Sequence, residues 1–219
     1  MIWATIEFMP MAEALLMKME SIKFTGKNKI WTFDVKYYSS ENLIDWKDED
    51  FLINPDTENK SSYLYPSHCL DRPHIIKNKK TNKYICYLKF SNLKTESFFM
   101  ILETDEFKGP YHIIKNEFRP FRILVGDFDI YVDQKQNAYL YFSNMKDGII
   151  ACKLSDDYLD VVGDYKRYYE NLDLPFSREE IAIFEYRNEL FMITCGMTGY
   201  IPNQSRIARL PSPLGNLRI

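Results

Sequence analysis

Asp129–Phe142 reads DIYVDQKQNAYLYF, a short apolar strand, a polar turn, and a second strand in which large apolar and aromatic side chains dominate. The same pattern returns as HIIKNKKTNKYICYL at His74–Leu88 and as AIFEYRNELFMIT at Ala182–Thr194. Tyr84, Tyr139 and Leu190 hold equivalent places, 55 and 51 residues apart. A weaker copy, FTGKNKIWTF at Phe24–Phe33, lies one step earlier with Ile30 at the matching place. A second unit follows each hairpin: Val35–Trp46, Met100–Phe107, Ala151–Leu159 and Ala208–Leu214 each carry a strand, a Ser/Thr–acid or Ser–Pro turn and a hydrophobic plug. Three of these run on into another apolar segment, at Phe51–Ile53, Tyr111–Ile114 and Val161–Val162.

Four strands per unit at a period of about fifty residues is the sequence form of a propeller blade. Helical solenoids of similar period are excluded, because the apolar alternation is two rather than 3.6. A β-sandwich remains the competitor, but it gives no reason for two hairpin types in fixed order. The reading is therefore an all-β chain of five-bladed β-propeller type, incomplete, with about four blade-like units in one domain over 1–219. Residues 1–20 stand apart from the repeat, and MAEALLMKM at Met11–Met19 has the propensity for a short helix.

Composition narrows the function classes. Hydrophobic residues make up 46% and charged residues 27% of the 219, ordinary for a globular chain. Aromatics reach 16%, which fits either a strand-rich core or stacking platforms for sugars or bases. A net charge of −3 without a basic stripe disfavours nucleic acid. No segment resembles a membrane span or a signal peptide, so the default location is the cytoplasm, or outside the cytoplasm if the true N-terminus lies further upstream. Cys69, Cys86, Cys152 and Cys195 lack metal-ligand spacing, as do His68, His74 and His112, so neither metal nor cofactor is expected. Trp31 and Trp46 read as blade core, and the sequons at Asn59 and Asn203 carry no weight without a secretory signal.

The residues between the strands carry a resemblance. Tyr38-Ser39-Ser40-Glu41-Asn42-Leu43 followed by Trp46 resembles a "YSS-D-L-x-x-W" signature, and Asp71-Arg72-Pro73-His74-Ile75-Ile76 before Lys83-Tyr84 resembles "ERPKVIYN…GKYV". Gly126-Asp127 through Tyr131-Val132-Asp133 and Ala138-Tyr139-Leu140 resembles "SRDMTLFVD…GKAYL", and Leu154–Leu159 resembles "RLSDDYL". Arg178-Glu179 before Ala182-Ile183-Phe184 resembles "REAPAIF", and Cys195–Asn203 resembles "SGCTGWNPN". Six segments in this order resemble glycoside hydrolase family 43, nearest its branch of exo-acting galactan 1,3-β-galactosidases.

That resemblance implies a five-bladed propeller of inverting glycosidases with a carbohydrate substrate. Inversion needs a protonated carboxylic acid on the leaving oxygen and a base that activates water across the sugar ring. Carboxylates at the heads of successive inner strands would converge on a central pocket, and Asp71, Asp127 and Glu179 stand in phase with the repeat. By resemblance Glu179 is the general acid, Asp127 orients it and raises its pKa, and Asp71 stands where the branch has a substrate-contacting Glu. Tyr200 replaces a Trp near the pocket and is the stacking candidate; Arg72 either binds a hydroxyl-rich ligand or pairs with a carboxylate.

The departures fall inside the site. Glu180 and Ile181 follow Glu179 where the motif has Ala and Pro, so Glu180 is either a second carboxylate beside the acid or, by a slip of register, the acid itself. Gly126 replaces an Arg, and Asp71 is one methylene shorter than Glu. No segment between Met1 and Thr32 matches the His/Gly-rich strand that begins the family, and no base is identifiable. Two readings follow: a glycosidase removing a terminal sugar with inversion, or an inactive propeller that only binds carbohydrate. A protein-interaction propeller is the third. Open blade edges would also favour self-association.

Overall fold

The three hairpins that set the repeat all form. The computed structural model describes residues 4–8, 14–20, 34–66, 68–92, 95–174, 176–199 and 201–218. Its strands run β1 (Ala4–Phe8), β2 (Ala14–Glu20), β3 (Asp34–Ser40), β4 (Lys47–Ile53), β5 (Cys69–Asn78), β6 (Lys83–Ser91), β7 (Ser97–Thr104) and β8 (His112–Phe118). They continue as β9 (Phe128–Val132), β10 (Ala138–Asn144), β11 (Gly148–Leu154), β12 (Val161–Tyr168), β13 (Arg178–Tyr186), β14 (Glu189–Gly196) and β15 (Arg206–Leu210). Each sheet takes its strands in sequence order: β1–β4, β5–β8, β9–β12 and the three-stranded β13–β15. These are four blade-type meanders, as the repeat predicts. Tyr84, Tyr139 and Leu190 are each the second residue of the second strand in their sheet.

The turns show why these words recur. Arg187 and Asn188 form a two-residue loop with φ of 51° and 62°, the backbone that suits a tight hairpin. Asp133 closes the β9–β10 turn by accepting the Asn137 N–H (2.8 Å) and its side-chain amide (2.8 Å). The plug turns begin on a hydroxyl: Ser40 Oγ accepts the Leu43 N–H (2.8 Å), and Ser155 Oγ accepts the Asp160 N–H (2.9 Å).

The first sheet corrects the reading of the N-terminus. Helix propensity favours a helix over Met11–Met19, yet Ala14–Glu20 is a strand, paired with β1 on one side and β3 on the other. Two flanking ladders supply backbone partners that an isolated helix in water lacks, so tertiary pairing overrides propensity. The hairpin expected at Phe24–Phe33 lies outside the described residues, as do Trp31 and Tyr200.

The chain divides into two compact units, the first holding sheets β1–β4 and β5–β8, the second holding β9–β12 and β13–β15. In the first, Val35, Tyr37, Leu52 and Ile53 share a core with Ile75, Leu88, Phe98 and Met100, and the plug Phe107 packs against it. In the second, Tyr141, Ile149 and Ala151 meet Ile181, Ile183, Leu190 and Met192. The aromatic excess is mainly core: Tyr87, Tyr141, Tyr158, Phe98, Phe99 and Phe142 are among the largest fully buried side chains. Trp46 is half-buried.

Polar bonds tie the sheets of the second unit together. Tyr141 donates to the Pro213 carbonyl (2.5 Å) and Tyr168 to that of Gly215 (2.8 Å), fastening the last plug onto the preceding sheet. Asp129 Oδ2 on β9 accepts the Ile183 N–H of β13 (2.6 Å), so the first strands of these two sheets run side by side.

Candidate active site

The head of β13 is built around a buried cation. Arg178 is 3% exposed, and its guanidinium donates to Thr194 Oγ1 (3.0 Å), the Thr194 carbonyl (2.5 Å) and the Gln204 carbonyl (3.2 Å). Immediately after it the ladder is irregular. Glu179 pairs with Cys195 and Ala182 with Ile193, so Glu180 and Ile181 together stand opposite Thr194. This is a β-bulge, and Glu180 has φ of 53° within it. Glu179 is half-buried and Glu180 exposed.

Cys195 ties the bulge together, its thiol donating to Glu180 Oε2 at 2.9 Å. Burial, then the bond to Glu180 and the charges of Glu180 and Glu179, push that thiol up to about 12. Burial takes Cys69 to about 11 and Cys152 to about 12. Since the thiolate is the reactive species, alkylation of these three by iodoacetamide at pH 8 should run about a hundredfold or more slower in the folded chain than in urea. A fast-reacting Cys195, seen by mass spectrometry, would contradict the hydrogen bond.

The loop after β14 is pinned beside the bulge. Asn203 accepts the Gly196 N–H and donates to the Gly196 carbonyl and Thr198 Oγ1, each at 2.6 Å, while Met197 N–H donates to the Ser177 carbonyl (2.9 Å). The end of the "SGCTGWNPN"-like segment is thus a clasp that holds its own loop against the strand carrying Glu179.

Asp127 sits at the head of β9, its carbonyl accepting the Ser143 N–H (2.8 Å). Asp129 bonds to Ile183 and, two residues further along both strands, Tyr131 donates to Glu185, so β9 and β13 run in the same direction and Asp127 lies at the same end as Glu179 and Glu180. Gly126 explains its own departure from the motif. Its N–H donates to the Ser143 carbonyl (2.7 Å), and an added Cβ would stand 2.7 Å from that oxygen and 2.4 Å from Ser143 Oγ. The position that carries Arg in the resembled segment has no room for any side chain here. Gly126→Ala should therefore cost about 1–3 kcal/mol in urea denaturation, as overpacking against fixed backbone does.

In the first unit Asp71 and Arg72 lie within β5, where Arg72 has φ of 51°. Asp71 is paired with Lys89 of β6 at 3.1 Å, and the two side chains are only 20% and 12% exposed. Lys89 has no role in the sequence reading, although a lysine between buried Leu88 and Phe90 is its one visible signal. Arg178, Cys195 and Asn203 fall inside quoted motifs, but nothing in the motifs foretells their bonds. Among the described residues no group of three or more His, Cys, Asp or Glu side chains could hold a metal ion.

No family model and no curated protein matches the chain. Solved structures do. A family 43 β-1,3-galactosidase with galactodeoxynojirimycin superposes with a TM-score of 0.81 at 21% identity, covering 98% of this chain and 74% of that one. The exo-β-1,3-galactanase of Phanerochaete chrysosporium with galactose gives 0.82 at 19%, covering 99% of this chain and 48% of that one. The exo-β-1,3-galactanase of Clostridium thermocellum gives 0.79 at 16%, covering 98% and 47%. The chain spans about half the length of the last two. At these identities the likeness is one of architecture: the chain has the β-propeller fold of family 43 glycoside hydrolases.

Proposed function

We propose that this chain is a carbohydrate-active propeller whose chemistry is removal of a terminal galactose from β-1,3-linked oligo- or polysaccharide, with inversion. The observation that carries the reading is that Glu179, in the bulge of β13, and Asp127, before β9, stand at the same end of neighbouring strands in a fold shared with β-1,3-galactosidases and galactanases. In this reading Glu179 protonates the leaving oxygen as the glycosidic bond breaks, Asp127 orients it, and water attacks from the opposite face of the ring. Asp71, Arg72 and Tyr200 serve as sugar contacts. The ion pair with Lys89 holds the Asp71 carboxylate in place.

A second reading is favoured by the loss of the Arg at Gly126 and by the unassigned base: the chain binds galactosides without cleaving them. The test is release of galactose from β-1,3-galactobiose by the purified chain, run beside calorimetric binding of galactose. Turnover that inverts the anomeric centre supports the enzyme. Binding without turnover supports the second reading, and neither event sinks both.

A further inference from the structure

Two departures from the resembled motifs touch one another. Glu180 stands where one motif has Ala, Cys195 where another has Ser, and the structure joins them through a thiol-to-carboxylate hydrogen bond of 2.9 Å. In a regular strand Glu179 and Glu180 would point to opposite faces of the sheet, because side chains alternate. Here Cys195 is the direct ladder partner of Glu179, and directly opposed residues of an antiparallel pair share a face. A Cys195 thiol that reaches Glu180 therefore draws the Glu180 carboxylate to the face that carries Glu179. The bulge makes this possible, since the left-handed φ of Glu180 turns its side chain out of alternation. Burial pushes this thiol's pKa up most, and the bond to Glu180 and the charges of both carboxylates push it further.

We infer that Cys195 is a positioning residue: its thiol fixes Glu180 on the same face as Glu179, so that the proposed acid works beside a second, oriented carboxylate. The assignment of the acid rests on the function proposed above; the positioning does not.

Raman spectroscopy of the S–H stretch tests the positioning without any substrate. The thiols of Cys86 and Cys152 make long contacts, 3.8 and 3.7 Å, to main-chain carbonyls, so the Cys195 band should lie apart from theirs at lower wavenumber. It should vanish in Cys195→Ser and move to higher wavenumber in Glu180→Ala. If Glu180→Ala leaves every S–H band where it was, the inference is overturned. With substrate, Cys195→Ala should lower kcat about tenfold with KM little changed, and Cys195→Ser, which keeps a donor, should restore most of it. Cys195→Ala added to Glu180→Ala should cost nothing further. A Cys195→Ser variant as poor as Cys195→Ala would overturn the hydrogen-bond role. Absence of turnover in the parent chain would instead overturn the enzyme reading, with the S–H band still deciding the positioning.

Discussion

Glu179→Gln is expected to lower galactose release from β-1,3-galactobiose by about 10²–10⁴-fold, the range that a positioned general acid supplies. Gln keeps the length and the hydrogen-bonding oxygen of Glu but has no proton to give to the leaving oxygen. The loss should depend on the leaving group. A sugar alkoxide needs protonation as the bond breaks, whereas a dinitrophenolate leaves without help, so the same variant should lose far less on dinitrophenyl β-galactoside. Comparing kcat for the two substrates separates loss of the acid from loss of the site. Equal losses on both would mean that Glu179 holds the pocket together rather than protonating the leaving group. Intact activity on galactobiose would remove Glu179 from the chemistry.

The largest stability effect is expected at Arg178. Its three hydrogen bonds end on Thr194 Oγ1, the Thr194 carbonyl and the Gln204 carbonyl, and the residue is almost wholly buried. Arg178→Met keeps much of the aliphatic volume but leaves those acceptors without their donor. A hydrogen bond from a charged group contributes about 1.5–3 kcal/mol, and an orphaned buried acceptor costs a further 1–3. The sum in practice is about 3–5 kcal/mol, because the three bonds share one side chain and are not additive. For a chain of this size that corresponds to a fall of about 10 °C in Tm by circular dichroism. Arg178→Lys should recover only part of it, since an ammonium cannot reproduce the planar fork. A Tm within a degree or two of the parent would show that the buried guanidinium does not anchor the β13 bulge.

Much of the architecture was legible in local words. The second-strand positions Tyr84, Tyr139 and Leu190 come out in equivalent places because a hairpin is specified by a turn and the alternation beside it. The Arg187-Asn188 turn and the hydroxyl-led plugs at Ser40 and Ser155 are likewise decided by side chains that bond backbone a few residues away. Asp71, Asp127 and Glu179 could be placed at strand heads for the same reason. The N-terminal strand could not. MAEALLMKM contains no β-branched residue and no turn signal, and what makes Ala14–Glu20 a strand is the company of β1 and β3.

The repeat at Asp129–Phe142 and its copies determined by itself that this chain is built from antiparallel meanders, three of the described four being four-stranded, because period-two alternation and turn chemistry are properties of neighbours in sequence. Only the tertiary structure decided what the strand heads hold. Cys195 meets Glu180 across a bulge, Lys89 meets Asp71 across a ladder, and Ser143 crowds Gly126 so closely that no side chain fits. Each of these partners lies fifteen or more residues away along the chain. Their meeting depends on register, and in a sheet a one-residue slip sends every side chain to the other face.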